Sequence, residues 1–387
     1  MKIVFVSNFY NHHQKFISEA LYLLTGGNYA FVATDKVPDD RLALGYGREV
    51  IPGYILFAHK STQELARCRE LINESDIVIA GSAPEHLLRE RIKEGKLIFR
   101  YSERPLKKGL EPLKYFPRLL RWHLRNPVGK PIYMLCASAY TAADYAKFGL
   151  FRNRCYKWGY FPEVKRYEKK TLFVQKENES PKILWCGRFL DWKHPDDAVQ
   201  VAERLYREGY QFELDFIGTG ALEQQLAEMI RERNLDNCVR LLGAMPPEQV
   251  REHMERANIY LFTSDRNEGW GAVLNEAMNS GCAVVASHAI GSVPFLMKDG
   301  ENGLMYESGN IDMLYEKVKF LLDHPEEQVR LGRAAYHTIA DEWSAEIAAE
   351  RFIELAQRIL DGEKHPDLFD EGPCSKAEIM KEGWATK

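Results

Sequence analysis

Residues 181–218 read PKILWCGRFLDWKHPDDAVQVAERLYREGYQFELDFIG, two apolar runs separated by a segment with helical spacing of its apolar residues. The same alternation continues through VRLLG, IYLFTS and AVVAS at 239–243, 259–264 and 283–287. Strands that are apolar throughout are buried on both faces, which is typical of parallel sheets covered by helices. The pattern therefore predicts a doubly wound α/β domain.

The first half of the chain repeats this alternation less regularly. Its apolar runs are KIVFVSNF (2–9), NYAFVATD (28–35), DIVIAGS (76–82), KLIFRYSER (96–104) and IYMLCAS (132–138). We expect two Rossmann-like domains, 1–163 and 182–343, joined by a polar linker at 164–181. A C-terminal helix and tail, 344–387, would follow and can cross back to the first domain. Two such sheets facing each other leave a cleft at the carboxyl ends of their strands, where open α/β folds bind ligands.

The composition is that of an ordinary globular chain. Of its 387 residues 45% are hydrophobic and 28% are charged, which excludes extended disorder and fibrous repeats. No apolar run approaches the roughly 20 residues that cross a bilayer, and the N-terminus lacks a signal-peptide cleavage pattern. Seven cysteines, an odd number with no Cys-x-x-Cys pair, predict reduced thiols in a cytoplasmic protein.

Charge is divided unevenly along the chain. The formal net charge is −4, yet residues 1–163 hold 25 Lys and Arg against 16 Asp and Glu, which leaves −13 for the remainder. Eight of those cations and a single acid lie in residues 104–131, interleaved with Leu, Phe and Trp. Such a segment predicts peripheral contact with the anionic inner face of a membrane. The alternative is a domain helix with a solvated basic face. Nucleic acid is not expected, because no binding motif accompanies the cations.

Two cations follow the strand KILWC. Arg188 and Lys193 lie on the loop after it, where Arg offers a planar fork and Lys a point charge to a phosphate. The pair predicts a site for a donor diphosphate, and the alternative is two solvated surface cations. No Asp-x-Asp occurs in the chain, so we expect these cations and helix amides to neutralise a diphosphate without a metal.

The segment EGWGAVLNEAMNSG (268–281) adds two carboxylates. Gly269, Trp270 and Gly271 precede a helix expected to start near Gly271, and free main-chain N–H groups there favour a phosphate or sugar oxygen. Glu276 lies inside that helix and suits a ribose diol, since a carboxylate can accept from two vicinal hydroxyls. Glu268 lies before the helix and faces a transferred group in this hypothesis.

These motifs resemble the retaining, sugar-nucleotide-dependent glycosyltransferases of family 4, which have the GT-B fold. The resemblance is carried by GRFLDWKHP, FIGTG, LLGAMPPEQV, the Glu-x7-Glu segment and GSVPFLMKDGENGLMY, over about 180–362. It implies that Arg188 and Lys193 bind the donor diphosphate, that Glu276 binds the ribose and that Glu268 approaches the hexose. It also implies a base pocket around Gly243 and Met245.

The first domain departs from the family in two places. Where the family usually has a Gly-Gly pair in the first loop, this chain has SNFYNHHQ, which offers Asn11, His12 and His13 to the acceptor side. Where many members carry a His after the fourth strand, it has RYSERP. Glu103 is the candidate there for an acceptor base or sugar contact, and the alternative is an ion pair with Arg104.

The predicted function is transfer of a hexosyl unit from a UDP- or GDP-sugar to an acceptor hydroxyl. The acceptor would be a glycan or lipid-linked saccharide of cell-surface polysaccharide biosynthesis. The family resemblance implies front-face attack with retention, without a covalent intermediate and without a cofactor. Two alternatives stay open: a non-catalytic sugar-nucleotide binding protein and a GT-B epimerase, which would convert donor alone. A dinucleotide oxidoreductase is not favoured, because no G-x-G-x-x-G follows the first strand.

Overall fold

The chain forms two compact units in a computed structural model that describes residues 1–38, 50–174, 176 and 180–380. The first unit comprises Met1–Pro162 with the described residues from Ser344 onward, and the second comprises Glu163–Trp343. Each unit is built on one parallel sheet, as the continuous apolar runs predicted.

The first unit contains seven parallel strands in the order β3-β2-β1-β4-β5-β6-β7. The strands are β1 Ile3–Ser7, β2 Tyr29–Ala33, β3 Ile55–Phe57, β4 Ile77–Ala80, β5 Leu97–Ser102, β6 Ile132–Cys136 and β7 Cys155–Lys157. The helices are α1 His12–Leu24, α2 Thr62–Glu74, α3 Arg89–Glu94, α4 Tyr115–Arg125 and α5 Thr141–Ala146. In the sheet β1 lies between β2 and β4, and every one of its residues is buried.

The second unit contains six parallel strands in the order β10-β9-β8-β11-β12-β13. The strands are β8 Lys182–Cys186, β9 Glu213–Ile217, β10 Val239–Leu241, β11 Ile259–Phe262, β12 Ala283–Ser287 and β13 Leu304–Tyr306. The helices are α6 Lys169–Val174, α7 Pro195–Arg207, α8 Glu223–Glu232, α9 Pro247–Arg256, α10 Val273–Asn279, α11 Val293–Leu296, α12 Ile311–Asp323 and α13 Pro325–Asp341. This is the doubly wound order in which the sheet grows outward in both directions from a central pair of strands.

The C-terminal helix packs on the sheet of the first unit. This helix, α14 Ala345–Leu360, is capped by Ser344, whose hydroxyl oxygen accepts from the Ile347 N–H at 3.3 Å. Phe352 lies against Phe99 of β5, with ring centroids 4.9 Å apart. Further on, the tail pairs antiparallel with β7 through a bridge between Tyr156 and Lys376. The tail therefore covers a sheet edge that would otherwise expose unpaired main-chain groups.

The predicted linker at 164–181 is a packed part of the second unit, and residues 175 and 177–179 of it lie outside the described residues. It contains the helix α6, in which Leu172 is buried against Tyr336 and Ala340 of α13. The Lys165 N–H also donates to the Asn279 side-chain oxygen at 2.8 Å. The sequence predicted a polar linker here and not a buried Leu172. This burial could not be predicted locally, because it depends on partners far away in the chain.

All seven cysteines are free thiols, as their number and spacing indicated. Within the described part of the chain, no helix combines the length and hydropathy that crossing a membrane requires.

Candidate active site

The predicted donor residues lie on loops after two adjacent strands of the second unit. The strand order places β8 and β11 side by side at the point where the winding of the sheet reverses. Arg188 and Lys193 follow β8, and Glu268 follows β11. In open α/β sheets this is the position at which ligands bind, because the loops after the two strands diverge there.

Lys193 and Glu268 form an ion pair across these two loops. Lys193 Nζ lies 2.5 Å from Glu268 Oε2, and the two side chains are 12% and 13% exposed. Ser264 donates to the same carboxylate oxygen at 3.1 Å. The other oxygen, Oε1, accepts no hydrogen bond from the described residues. The contact therefore fixes the lysine and leaves one carboxylate oxygen of Glu268 available to a ligand.

A hydrogen-bond relay from the sheet core holds the backbone of Lys193. The indole N–H of Trp185 on β8 donates to the Thr263 hydroxyl at 2.8 Å, and that hydroxyl donates to the Lys193 carbonyl at 2.7 Å. Neither Trp185 nor Thr263 was among the residues predicted from the sequence. A signal was present, since a Trp in a buried strand needs a partner for its indole N–H.

Arg188 lies on the same loop in a different environment. Its side chain is exposed and makes no ion pair with any described residue. A guanidinium without an acidic partner keeps its full charge for a phosphate, whereas Lys193 must share its charge with Glu268. Both predicted cations therefore lie on one loop, and Arg188 is more available to a phosphate than Lys193 is.

Glu276 occupies the first turn of α10, because this helix begins at Val273, two residues after the expected start near Gly271. It is half-buried, and burial raises the pKa of its carboxyl group, an effect that the nearby Arg251 opposes. Arg251 is itself buried and donates to the Glu276 carbonyl at 3.1 Å, so it positions this turn of the helix.

Glu268 and Glu276 both affect the pKa of the same buried side chain, Tyr260. Burial raises the pKa of Tyr260 on β11 well above its ordinary value, and the charges of Glu276 and Glu268 raise it further. The Tyr260 hydroxyl donates to the carbonyl of Cys186, the last residue of β8, at 3.1 Å. The structure therefore brings Glu268 and Glu276 to the same two strand ends.

Packing within the second unit constrains both Trp270 and Gly271. Trp270 was predicted to bind the diphosphate, but its side chain is fully buried and its indole N–H donates to Asn275 at 2.9 Å. Only its main chain is left for that role. Gly271 has φ of 83°, and a Cβ there would lie 2.4 Å from the Phe262 ring. The helix accordingly begins at Val273, after Gly271, because this residue has left-handed backbone geometry.

Two glycines after β9 shape the donor loop. A Cβ on Gly218 would lie 1.9 Å from the Gly187 carbonyl oxygen, and one on Gly220 would lie 2.4 Å from that of Phe189. The Gly218 N–H donates to the Gly243 carbonyl at 2.8 Å, which uses one of the two lone pairs of this carbonyl oxygen. Met245, the other predicted base contact, is half-buried on the same loop. The Gly-Thr-Gly turn thus lies in close contact with the loop that carries Arg188.

The first unit has its own polar cluster at the carboxyl ends of its strands. Tyr160 donates to Glu103 Oε1 at 2.5 Å, and Lys107 donates to Glu103 Oε2 at 2.5 Å. The alternative pairing of Glu103 with Arg104 is wrong, because Arg104 pairs with Asp144 at 3.2 Å. Both carboxylate oxygens of Glu103 are therefore held by donors within the unit.

The first loop contributes one histidine to this cluster. His13 stacks on the Tyr160 ring at 4.8 Å, and the exposed His12 lies against His13 at 4.0 Å. Asn11 does not reach the cluster as a ligand. It is buried and caps α1, since its side-chain oxygen accepts from the His13 N–H at 2.9 Å. The asparagine fixes the start of the helix, and the histidines remain as the side chains presented there.

One group of described residues offers three metal-ligand atoms close together. His194, Asp196 and Asp197 place one such atom each within 4.8 Å of one another, next to Lys193. His194 has left-handed geometry with φ of 46° and directly precedes α7, and its Nε2 lies 3.6 Å from Asp265 Oδ2. Acidic residues are common in the first turn of a helix, where they interact with free N–H groups. The group alone therefore does not establish a metal site.

Known proteins resemble the chain in sequence and in fold. Residues 168–338 match the family model of glycosyl transferases group 1. The amylovoran biosynthesis glycosyltransferase AmsK of Erwinia amylovora is 29% identical over 198 residues, which cover 50% of this chain and 48% of AmsK. The chain therefore spans about half the length of this relative.

Two solved structures resemble nearly the whole chain. HepE of Anabaena, solved in complex with UDP, has a TM-score of 0.65 at 14% identity and covers 93% of this chain and 99% of its own. Sucrose-phosphate synthase from Thermosynechococcus elongatus has a TM-score of 0.65 at 15% identity, with 94% and 100% covered. Identity this low shows a shared fold alone. With two parallel-sheet Rossmann-like domains of the GT-B fold and a family match over 168–338, this chain is similar to glycosyl transferases group 1.

Proposed function

We propose that this protein is a retaining hexosyltransferase of family 4 that uses a UDP- or GDP-sugar and needs no metal. The observation that carries the proposal is the Lys193–Glu268 ion pair beside the exposed Arg188, at the reversal point of the second sheet. A site that holds a cation by a carboxylate and leaves one carboxylate oxygen open suits a ligand with both phosphate and hydroxyl groups.

The donor diphosphate is assigned to Arg188, Lys193 and the main chain of Gly269–Gly271. Arg188 and Lys193 carry two positive charges, while Glu268 and Glu276 carry two negative ones, so side chains alone leave the site neutral. The main-chain N–H groups of the glycine loop supply the remaining positive potential in this proposal. As the bond to the sugar breaks, charge grows on the diphosphate, and the fixed cations stabilise that charge more than the ground state.

The two glutamates are assigned to the two sugars of the donor. Glu276, close to Cys186 and Tyr260, accepts from the ribose hydroxyls. Glu268 orients a hydroxyl of the transferred hexose with its open oxygen and acts by electrostatic support, not by attack on the sugar. Retention then proceeds by front-face attack, in which the leaving diphosphate helps to take the proton of the acceptor hydroxyl.

The acceptor is assigned to the first unit, around Glu103, His12 and His13. Because Tyr160 and Lys107 already donate to Glu103, this carboxylate is fixed in position, and we assign it to hold an acceptor hydroxyl. We propose a glycan or lipid-linked saccharide of cell-surface polysaccharide synthesis as acceptor, acted on in the cytoplasm. The name of AmsK, an amylovoran biosynthesis enzyme, supports this class, and the UDP bound to HepE supports the donor.

A panel of UDP- and GDP-sugars tested by thermal shift identifies the donor, because a ligand that binds the folded state raises the melting temperature. The selected donor is then incubated with candidate acceptors, and the product is examined by NMR. The expected product keeps the anomeric configuration of the donor. An inverted product contradicts the mechanism. Donor binding without turnover identifies a binding protein, and conversion of donor alone identifies an epimerase.

A further inference from the structure

The helix α4 presents apolar side chains to solvent along one face. Phe116, Leu120 and Leu124 are 74%, 64% and 73% exposed, and the four-residue spacing places them in one row. Leu113 before the helix and Val128 after it are exposed as well. A surface helix of a globular unit normally turns polar residues outward, so this row needs a partner other than water.

The opposite face of α4 is already anchored to the first unit. Trp122 packs on Phe148 and Tyr145, with ring centroids 4.5 and 4.9 Å apart. Tyr115 stacks on Phe148 at 5.1 Å. Trp122 is thus excluded from the outer surface, whereas Phe116 belongs to it. The helix cannot bury its outer row by rotating, because rotation would expose these aromatic rings.

Cations border the exposed row. Between Pro112 and Lys130 the chain has five Lys and Arg residues and no Asp or Glu. At 3.6 residues per turn, Arg121 lies along the edge next to the apolar row, and it is exposed. Lys114, just before the helix, is exposed as well and pairs with Glu111 at 2.7 Å. An apolar row with cations beside it matches the acyl boundary and the anionic headgroups of a bilayer.

We propose that α4 lies in the interface of an anionic membrane, with Leu113, Phe116, Leu120 and Leu124 inserted and Lys114 and Arg121 at the headgroups. A second copy of the chain is a poorer occupant, because a two-fold contact through this face would bring the same cations together. The inference goes beyond the proposed transferase activity, since vesicle binding requires neither donor nor acceptor.

The experiment is flotation of the full chain with vesicles of phosphatidylcholine alone or mixed with phosphatidylglycerol, without any substrate. We expect binding to the anionic vesicles that weakens as salt is raised, because headgroup attraction is screened. The Leu120→Gln/Leu124→Gln variant should bind at least about tenfold more weakly. Its matched control is Leu23→Gln/Ile379→Gln, whose residues are 74% and 63% exposed, and the control should bind like the wild type.

A second variant keeps the test decisive if the first folds poorly. Lys114→Gln/Arg121→Gln leaves the apolar row intact and should lose binding that depends on phosphatidylglycerol. Circular dichroism and melting temperature check the fold of each variant. Absence of flotation with anionic vesicles, or equal flotation of the helix variant and its control, overturns the proposal. So does a dimer in sedimentation velocity that the Leu120→Gln/Leu124→Gln variant abolishes without any vesicle binding.

Discussion

Replacing Lys193 by Ala tests the donor site through its ion pair with Glu268. Lys193 Nζ lies 2.5 Å from Glu268 Oε2, and both side chains are largely shielded from water. The substitution therefore does two things at once. It removes a cation from the diphosphate, and it leaves an unpaired carboxylate beside the place that the diphosphate would occupy.

The expected loss follows from these two effects. A charge-assisted hydrogen bond contributes about 1.5–3 kcal/mol, which corresponds to a roughly 10- to 150-fold increase in Kd. Repulsion by the unpaired Glu268 acts in the same direction, so we expect the upper part of that range. Ser264 still donates to Glu268 at 3.1 Å and reduces the cost only partly.

A double-mutant cycle separates the two effects. Titration calorimetry with UDP and with GDP, at one ionic strength, gives Kd for the wild type, Lys193→Ala, Glu268→Gln and the double variant. Because Glu268→Gln removes the repelling charge, the double variant should bind more tightly than Lys193→Ala alone. We expect a coupling energy of about 0.5–3 kcal/mol, the range for residues in contact.

Lys319→Ala provides the control. Lys319 also pairs with a glutamate in the second unit, Glu208 at 2.9 Å, but it lies on α12 and not on a loop after a strand. Its replacement should leave Kd unchanged. An unchanged Kd for Lys193→Ala refutes the diphosphate assignment, and additive losses in the cycle refute the role given to the ion pair.

Three further predictions concern the same unit. Burial raises the pKa of Glu276, so the ionised group costs stability once the pH exceeds its pKa in the folded state. Glu276→Gln should therefore raise the melting temperature at pH 8 and leave it unchanged below about pH 4, where the glutamate is protonated in both states. The same substitution should weaken donor binding. A lower melting temperature of the variant at pH 8 contradicts the predicted direction of the stability change. Gly218→Ala should lower the free energy of unfolding in urea by clearly more than Gly209→Ala. Both glycines have positive φ, but only Gly218 would place its Cβ 1.9 Å from a carbonyl oxygen, so equal losses contradict the close approach. Transfer should continue in EDTA, since cations and main-chain N–H groups are assigned to the diphosphate. Loss of turnover that manganese restores, and that Asp196→Asn/Asp197→Asn reproduces, would instead assign a metal to the group beside Lys193.

Local patterns in the sequence were enough to predict the two sheets. A run such as KILWC is apolar throughout, and the following helix shows its own period, so neither depends on a distant partner. The same holds for the loop positions of Arg188 and Lys193, because a residue just after a parallel strand must lie at the carboxyl edge of the sheet. The resemblance to glycosyl transferases group 1 rests on the spacing of these short motifs, which the chain carries in order.

Tertiary structure decided which contacts the side chains make at that edge of the sheet. Lys193 meets Glu268 because β8 and β11 are neighbours in the sheet, although 75 residues separate the two in the chain. The sequence placed Trp270 in a glycine-rich loop, yet packing against Trp343 draws its ring into the core. The sequence offered Asn11 as an acceptor-side ligand, but its side-chain oxygen caps α1. Glu103 was predicted as an acceptor base or sugar contact, and in the structure Tyr160 and Lys107 donate to its carboxylate. Periodicity and spacing are properties of the local chain, whereas ion pairs, caps and buried rings depend on which distant groups the fold brings within a few ångströms.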